Sequence, residues 1–204
     1  MRTKNFLSFA AAVILASVIA CSPKTTAPIV QEEVKPVPAT PLQDTTLSPC
    51  AKFSDAPNKE DAETNYVLYR DFLKAGDWNQ AFDYWKKVFA VAPAADGKRN
   101  TIFADGVRFY EHFMAQTQDS LQKEQYIDRI FQLYSGIDSC YHEGGYANGR
   151  KGFDLFYKYP HRATKEETFQ TLLTSAQKDN GMMRDFIINP FTALRSEERR
   201  VGKE

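Results

Sequence analysis

The chain has 204 residues, 43% of them hydrophobic and 13% aromatic, enough for one ordinary domain with a proper core. Its 26 lysines and arginines balance 26 aspartates and glutamates, so no net field draws it toward an acidic polymer. A basic face would be the first sign of a nucleic-acid partner, and this balance excludes one from the expectations.

The chain starts with a short basic stretch, Met1-Arg2-Thr3-Lys4-Asn5, followed by an uncharged run of 15 residues from Phe6 to Ala20. That run is too short for a durable membrane-spanning helix and reads as a leader, residues 1–20. It ends in Val18-Ile19-Ala20-Cys21, which resembles a bacterial lipoprotein signal, where a small residue precedes a cysteine that is acylated before cleavage. The family prefers Leu where Val18 stands and Ala or Ser where Ile19 stands; the other reading is an ordinary secretory peptide cut nearby. The resemblance implies acylation of Cys21 and a lipid anchor in the membrane. Its inner-membrane retention residue is Asp after the cysteine; Ser22 stands here, which implies an outer-membrane destination.

Residues 21–58 carry seven of the ten prolines, at positions 23, 28, 36, 38, 41, 49 and 57. Proline lacks a backbone donor, and the segment has little apolar surface to bury, so a disordered, semi-extended tether is expected. Residues 22–49 would reach about 85 Å if fully extended. Asp44-Thr45-Thr46 resembles a bacterial O-glycosylation triplet. Asp119-Ser120-Leu121 fits the same pattern, but helix capping accounts for it better.

From about residue 60 the apolar period becomes helical. Leu68, Phe72 and the pair Tyr69/Leu73 recur at three- and four-residue spacing up to Gly76-Asp77. Ala81, Phe82, Trp85, Val88 and Phe89 repeat the pattern up to Pro93. Further helices are expected over about 100–117, 120–138, 148–158, 164–179 and 182–193, punctuated by Gly144-Gly145, Tyr159-Pro160 and Asn180-Gly181. No stretch alternates with period two, so the fold class expected for 59–194 is all-α.

Asn65-x2-Leu68-Tyr69-x2-Phe72, then Ala81-x3-Trp85, then Pro93 resembles the tetratricopeptide-repeat signature, with Gly76-Asp77-Trp78 as its turn. Asn65 stands where the family has a large aromatic and Tyr69 where it has a small residue. The resemblance covers residues 63–93 and implies antiparallel helix-turn-helix repeats stacked as an α-solenoid, with 100–138 and 148–179 as further pairs. Phe72, Phe82, Trp85 and Phe89 are expected in the core, since an aromatic stripe at helical spacing faces inward. Residues 195–204 lack apolar periodicity. RSEERRVGKE resembles a tail found on unrelated translated fragments at contig ends, so a non-native end is expected there.

Tyr66, Arg70 and Lys74 follow each other at four-residue spacing on one face of the first helix. In the repeat family that face lines a peptide groove, which implies binding of an acidic or C-terminal peptide segment; the alternative is a solvated face. Once Cys21 is acylated, Cys50 and Cys140 remain, either bridged in an oxidising compartment or as free thiols. Cys140, His142 and Glu143 form a local cluster that reads as a surface loop. His112, His142 and His161 lack metal-ligand spacing. The run Gly144 to Gly152 lacks the order of a phosphate loop, and its small residues suit a tight turn and close helix contact. No enzyme, cofactor or metal is expected. The function implied is a membrane-anchored envelope scaffold for a protein or peptide partner; the alternatives are a structural or carbohydrate-handling envelope component, marked by exposed aromatics outside the repeat core, and the non-catalytic part of a larger, truncated protein.

Overall fold

The computed structural model describes residues 47–201. The leader, Cys21, the glycosylation-like triplet and most of the expected tether therefore lie outside the described residues. Among the described residues the fold is all-α, with seven α-helices and no strand. They are α1 (Lys59–Ala75), α2 (Trp78–Val91), α3 (Thr101–Gln116), α4 (Ser120–Tyr141), α5 (Gly144–Tyr157), α6 (Lys165–Lys178) and α7 (Asp185–Val201). Consecutive helices pack as the pairs α1/α2, α3/α4 and α5/α6; α4 joins the last two pairs, and α7 lies against α5 and α6.

The first hairpin turns where its chemistry dictates. Gly76 closes α1 in the left-handed region at φ 82°, which a residue without Cβ adopts freely. Asp77 then caps α2 by accepting from the Gln80 amide at 3.0 Å. Asp119 caps α4 through the Leu121 and Gln122 amides, as expected from Asp119-Ser120-Leu121.

One continuous core joins α1 to α4. Trp85 is fully buried, donates from Nε1 to the Ile102 carbonyl at 2.8 Å, and stacks on Phe82 and Phe89. Gly106 makes room for it, because an added Cβ would stand 2.5 Å from the indole. Each such buried large side chain contributes about 1.5–3 kcal/mol by leaving water. Phe82, Trp85 and Phe89 are buried as expected, whereas Phe72 is only half-buried and stacks on Tyr84 at 5.5 Å. The inward stripe of α1 is Ala62, Tyr69 and Leu73, not Leu68 and Phe72. The stripe is turned because Tyr69 reaches sideways to Phe109 on α3.

Three boundaries differ from the sequence expectation. The tether ends earlier than residue 58: Phe53–Asp55 form a 3-10 turn, the Phe53 amide donates to the Ala95 carbonyl, and the Ala94 amide donates to the Ala51 carbonyl. Proline density signals extension but says nothing about backbone pairing with a distant loop. Gly144 and Gly145 open α5 instead of forming the turn; the left-handed residue there is His142, at φ 56°. α7 continues helically to Val201, past the end expected at 193. Glu and Arg are good helix formers, and a helix needs no apolar stripe to continue for two turns.

Candidate functional site

The row Tyr66, Arg70, Lys74 is divided among three environments. Tyr66 is half-buried between Phe53 and Tyr69, meeting both edge to face. Arg70 donates to Asp105 Oδ2 on α3, and Asp105 is only 4% exposed. The Tyr69 hydroxyl donates to the same oxygen at 3.2 Å, while Arg108 donates to Oδ1 at 2.9 Å. Burial drives the Tyr69 pKa far up, and the Asp105 charge adds to it, so the phenol stays a donor. Tyr69, the departure from the repeat signature, thus has a partner built for it, and Arg70 belongs to that internal network. Only Lys74 stays exposed, beside Asp71.

Cys50 and Cys140 form a disulfide across 90 residues of sequence. It pins the strap formed by residues 48–56 to the end of α4. In the chain-entropy picture a loop of this size is worth about 4–5 kcal/mol. Tyr141 adds a second tie by donating to the Ala94 carbonyl at 2.9 Å. The local Cys-His-Glu cluster is thereby taken apart: Cys140 is bridged, His142 caps α4 exposed to solvent, and Glu143 accepts from Asn100. Among the described residues no group of three His, Cys, Asp or Glu side chains is placed to hold a metal.

The glycine-rich run builds α5 with three distinct faces. Gly145, Gly149 and Gly152 meet α6, where an added Cβ would collide with Asp179, stand 2.9 Å from the Ser175 hydroxyl and 2.5 Å from Leu172. Ser175 donates to the Gly145 carbonyl at 2.6 Å, a bond only such a close approach allows. The second face holds Ala147, Asp154 and Leu155, all buried. Asp154 is fully buried, accepts from the Tyr134 hydroxyl at 2.7 Å, and has the Lys158 ammonium 3.0 Å from its other oxygen. Burial opposes the charge on Lys158, yet Glu111 and Asp154 hold its pKa above the ordinary value.

The third face of α5 is a ladder of Tyr146, Arg150, Phe153 and Tyr157, spaced four, three and four residues apart. Phe186 of α7 leans on it, edge-on to Tyr146 and Phe153. Arg150 lies over Phe153 and Phe186, and Arg184 over Tyr146. Burial works against the Arg150 charge, but Tyr134 and Asp154 keep its pKa raised. Tyr157 is 51% exposed, and Met182 and Met183, just before α7, are exposed at 71% and 37%. This is a surface of rings, thioethers and guanidinium groups held on rigid helices.

Sequence reasoning assigned these residues to no site. The signal was present in the spacing of Tyr146, Arg150, Phe153 and Tyr157, but the glycines between them pointed to a tight turn and close helix contact, and only the close contact is what Gly145, Gly149 and Gly152 make. Comparison with protein-family models, with curated proteins and with solved structures finds no match.

Proposed function

We propose that the chain is an outer-membrane lipoprotein, anchored through an acylated Cys21, whose tetratricopeptide-like helical hairpins are a non-enzymatic scaffold for another envelope protein. The contact surface is the α5–α7 face, not the α1 row, because Arg70 already serves Asp105. The observation that carries this reading is the half-exposed ladder Tyr146, Arg150, Phe153 and Tyr157 with Phe186 beside it. Aromatics, Met and Arg are the residue types enriched where proteins meet, and rings lose little entropy on ordering. A photo-crosslinking residue at 157 should give one dominant protein adduct in intact envelopes, and the same residue at Lys74 should give none. The reverse pattern would return the site to α1. Partitioning of the Cys21→Ala chain into the soluble fraction checks the anchor.

A carbohydrate-handling role is the second reading, favoured by the exposed ring of Tyr157 next to Phe153, 4.7 Å between centroids. Binding of soluble glycan strands that Tyr157→Ser removes, without any protein adduct, would select it.

A further inference from the structure

Among the described residues both cysteines are spent in the Cys50–Cys140 bond, which leaves methionine thioethers as the softest oxidisable groups. The methionines there are Met114, Met182 and Met183. Met114, on α3, is half-buried and packs against the larger core. Met182 and Met183, between α6 and α7, are 71% and 37% exposed.

The segment that carries the exposed pair is held on both sides of it. Asn180 and Gly181 leave α6 in the left-handed region, at φ 57° and 84°. The Gly181 amide donates to the Ala176 carbonyl at 2.7 Å, and the Met182 amide to the Asp179 carbonyl at 3.1 Å. Beyond the pair, Arg184 donates from Nε to Asp179 Oδ2 at 2.7 Å and lies over the Tyr146 ring. Backbone bonds and an ion pair thus build this turn, not the packing of the two thioethers. A change in their polarity alters the surface and spares the core.

We propose that Met182 and Met183 are an oxidation site through which a hydroperoxide turns off docking on the α5–α7 face. The proposal rests on the reading of that face as a protein contact. A sulfur lone pair attacks the terminal peroxide oxygen, and the S–O bond forms as the O–O bond breaks. The proton of the attacked oxygen passes to the departing one, which leaves as water when the oxidant is hydrogen peroxide. Sulfur is oxidised by two electrons to the sulfoxide, and the peroxide is reduced by two. Two thiols of a reductase reverse the step, removing the oxygen as water and closing a disulfide between themselves. The sulfoxide oxygen is a strong acceptor on a surface of rings and thioethers, and burying it unpaired in a contact weakens that contact.

The purified full chain, treated with limiting hydrogen peroxide, is digested and each methionine followed by mass spectrometry. Sulfoxide should appear at Met182 and Met183 well before Met114, with the urea midpoint unchanged. Equal rates at all three, or a falling midpoint, would overturn the proposal. The same chain with the photo-crosslinking residue at 157 is then added to envelopes from cells that lack it. Oxidation should lower the protein adduct about tenfold, and methionine sulfoxide reductase should restore it. Met182→Leu combined with Met183→Leu keeps the surface apolar and should make the adduct indifferent to peroxide. Equal loss from that variant would overturn the proposal. An adduct present before oxidation and unmoved by it refutes the switch alone. No adduct even before oxidation refutes the protein-contact reading, and the switch falls with it.

Discussion

The two ends of this helical stack are packed by opposite means. From α1 to α4, helices are spaced by large rings: Tyr69, Trp85 and Phe109 are fully buried and Phe82 nearly so. In α5 and α6 the spacing is set by Gly145, Gly149 and Gly152, and a separate small core of Phe169, Leu172, Ile187, Phe191 and Leu194 holds α7. A seam made of backbone needs no aromatic filling. Of the rings that α5 carries, Phe153 and Tyr157 are therefore left on its outer side, while Tyr146 and Phe156 are partly buried against the two cores. The same residue types are core at one end and surface at the other, and the difference lies in whether the facing helix is met by a side chain or by a glycine.

This contrast can be broken by exchanging the two means. Trp85→Ala removes the largest spacer of the first part and should cost about 3–5 kcal/mol, read as a lower urea midpoint. A loss below about 1 kcal/mol would mean that the rings do not set the spacing. Gly152→Leu drives a side chain into Leu172 and should cost about 1–3 kcal/mol. Were it neutral, the glycine seam would be looser than described. Asp105→Ala leaves the fully buried Tyr69 hydroxyl without its acceptor and should cost about 1–3 kcal/mol, with Asp105→Asn losing less.

Acid gives the smallest effect. His112, stacked on Trp78, has its pKa below the ordinary 6.5 because burial disfavours the charged ring. Glu124 lies below its ordinary 4.5 because Arg162, and then His161, donate to it. Both groups bind fewer protons folded than unfolded, so stability rises with pH through each window and is lost as pH falls. Thermal midpoints should drop slightly from pH 7 to just below 6.5, and again below 4.5. His112→Gln should flatten the first step alone. Both side chains are only half-buried, so neither step should be large.

Much of the first part was legible from residue spacing. Gly76-Asp77 marked its turn, Ala81 and Trp85 their inward positions, and Asp119 its cap, because each acts on neighbours a few residues away. What escaped depends on distant partners. Arg70 read as free because Asp105 lies 35 residues on. The strap read as tether because its partners, Ala94 and Ala95, sit in another loop. Cys50 and Cys140 could be read either bridged or free, since 90 residues of sequence carry no geometry. Gly144 and Gly145 read as a break between helices, although the run also suited close helix contact, because glycine serves both alike, and only the facing Lys178 and Asp179 distinguish the two.

Whether the outer rings of α5 serve a partner or the fold can be measured directly. Tyr157→Ser, followed on one preparation by urea midpoint and by crosslinking in envelopes, separates the two. With Tyr157 at 51% exposure, the midpoint should correspond to a change under about 0.5 kcal/mol while the dominant protein adduct disappears. A midpoint that falls clearly, or an adduct that persists undiminished, would contradict the partner role.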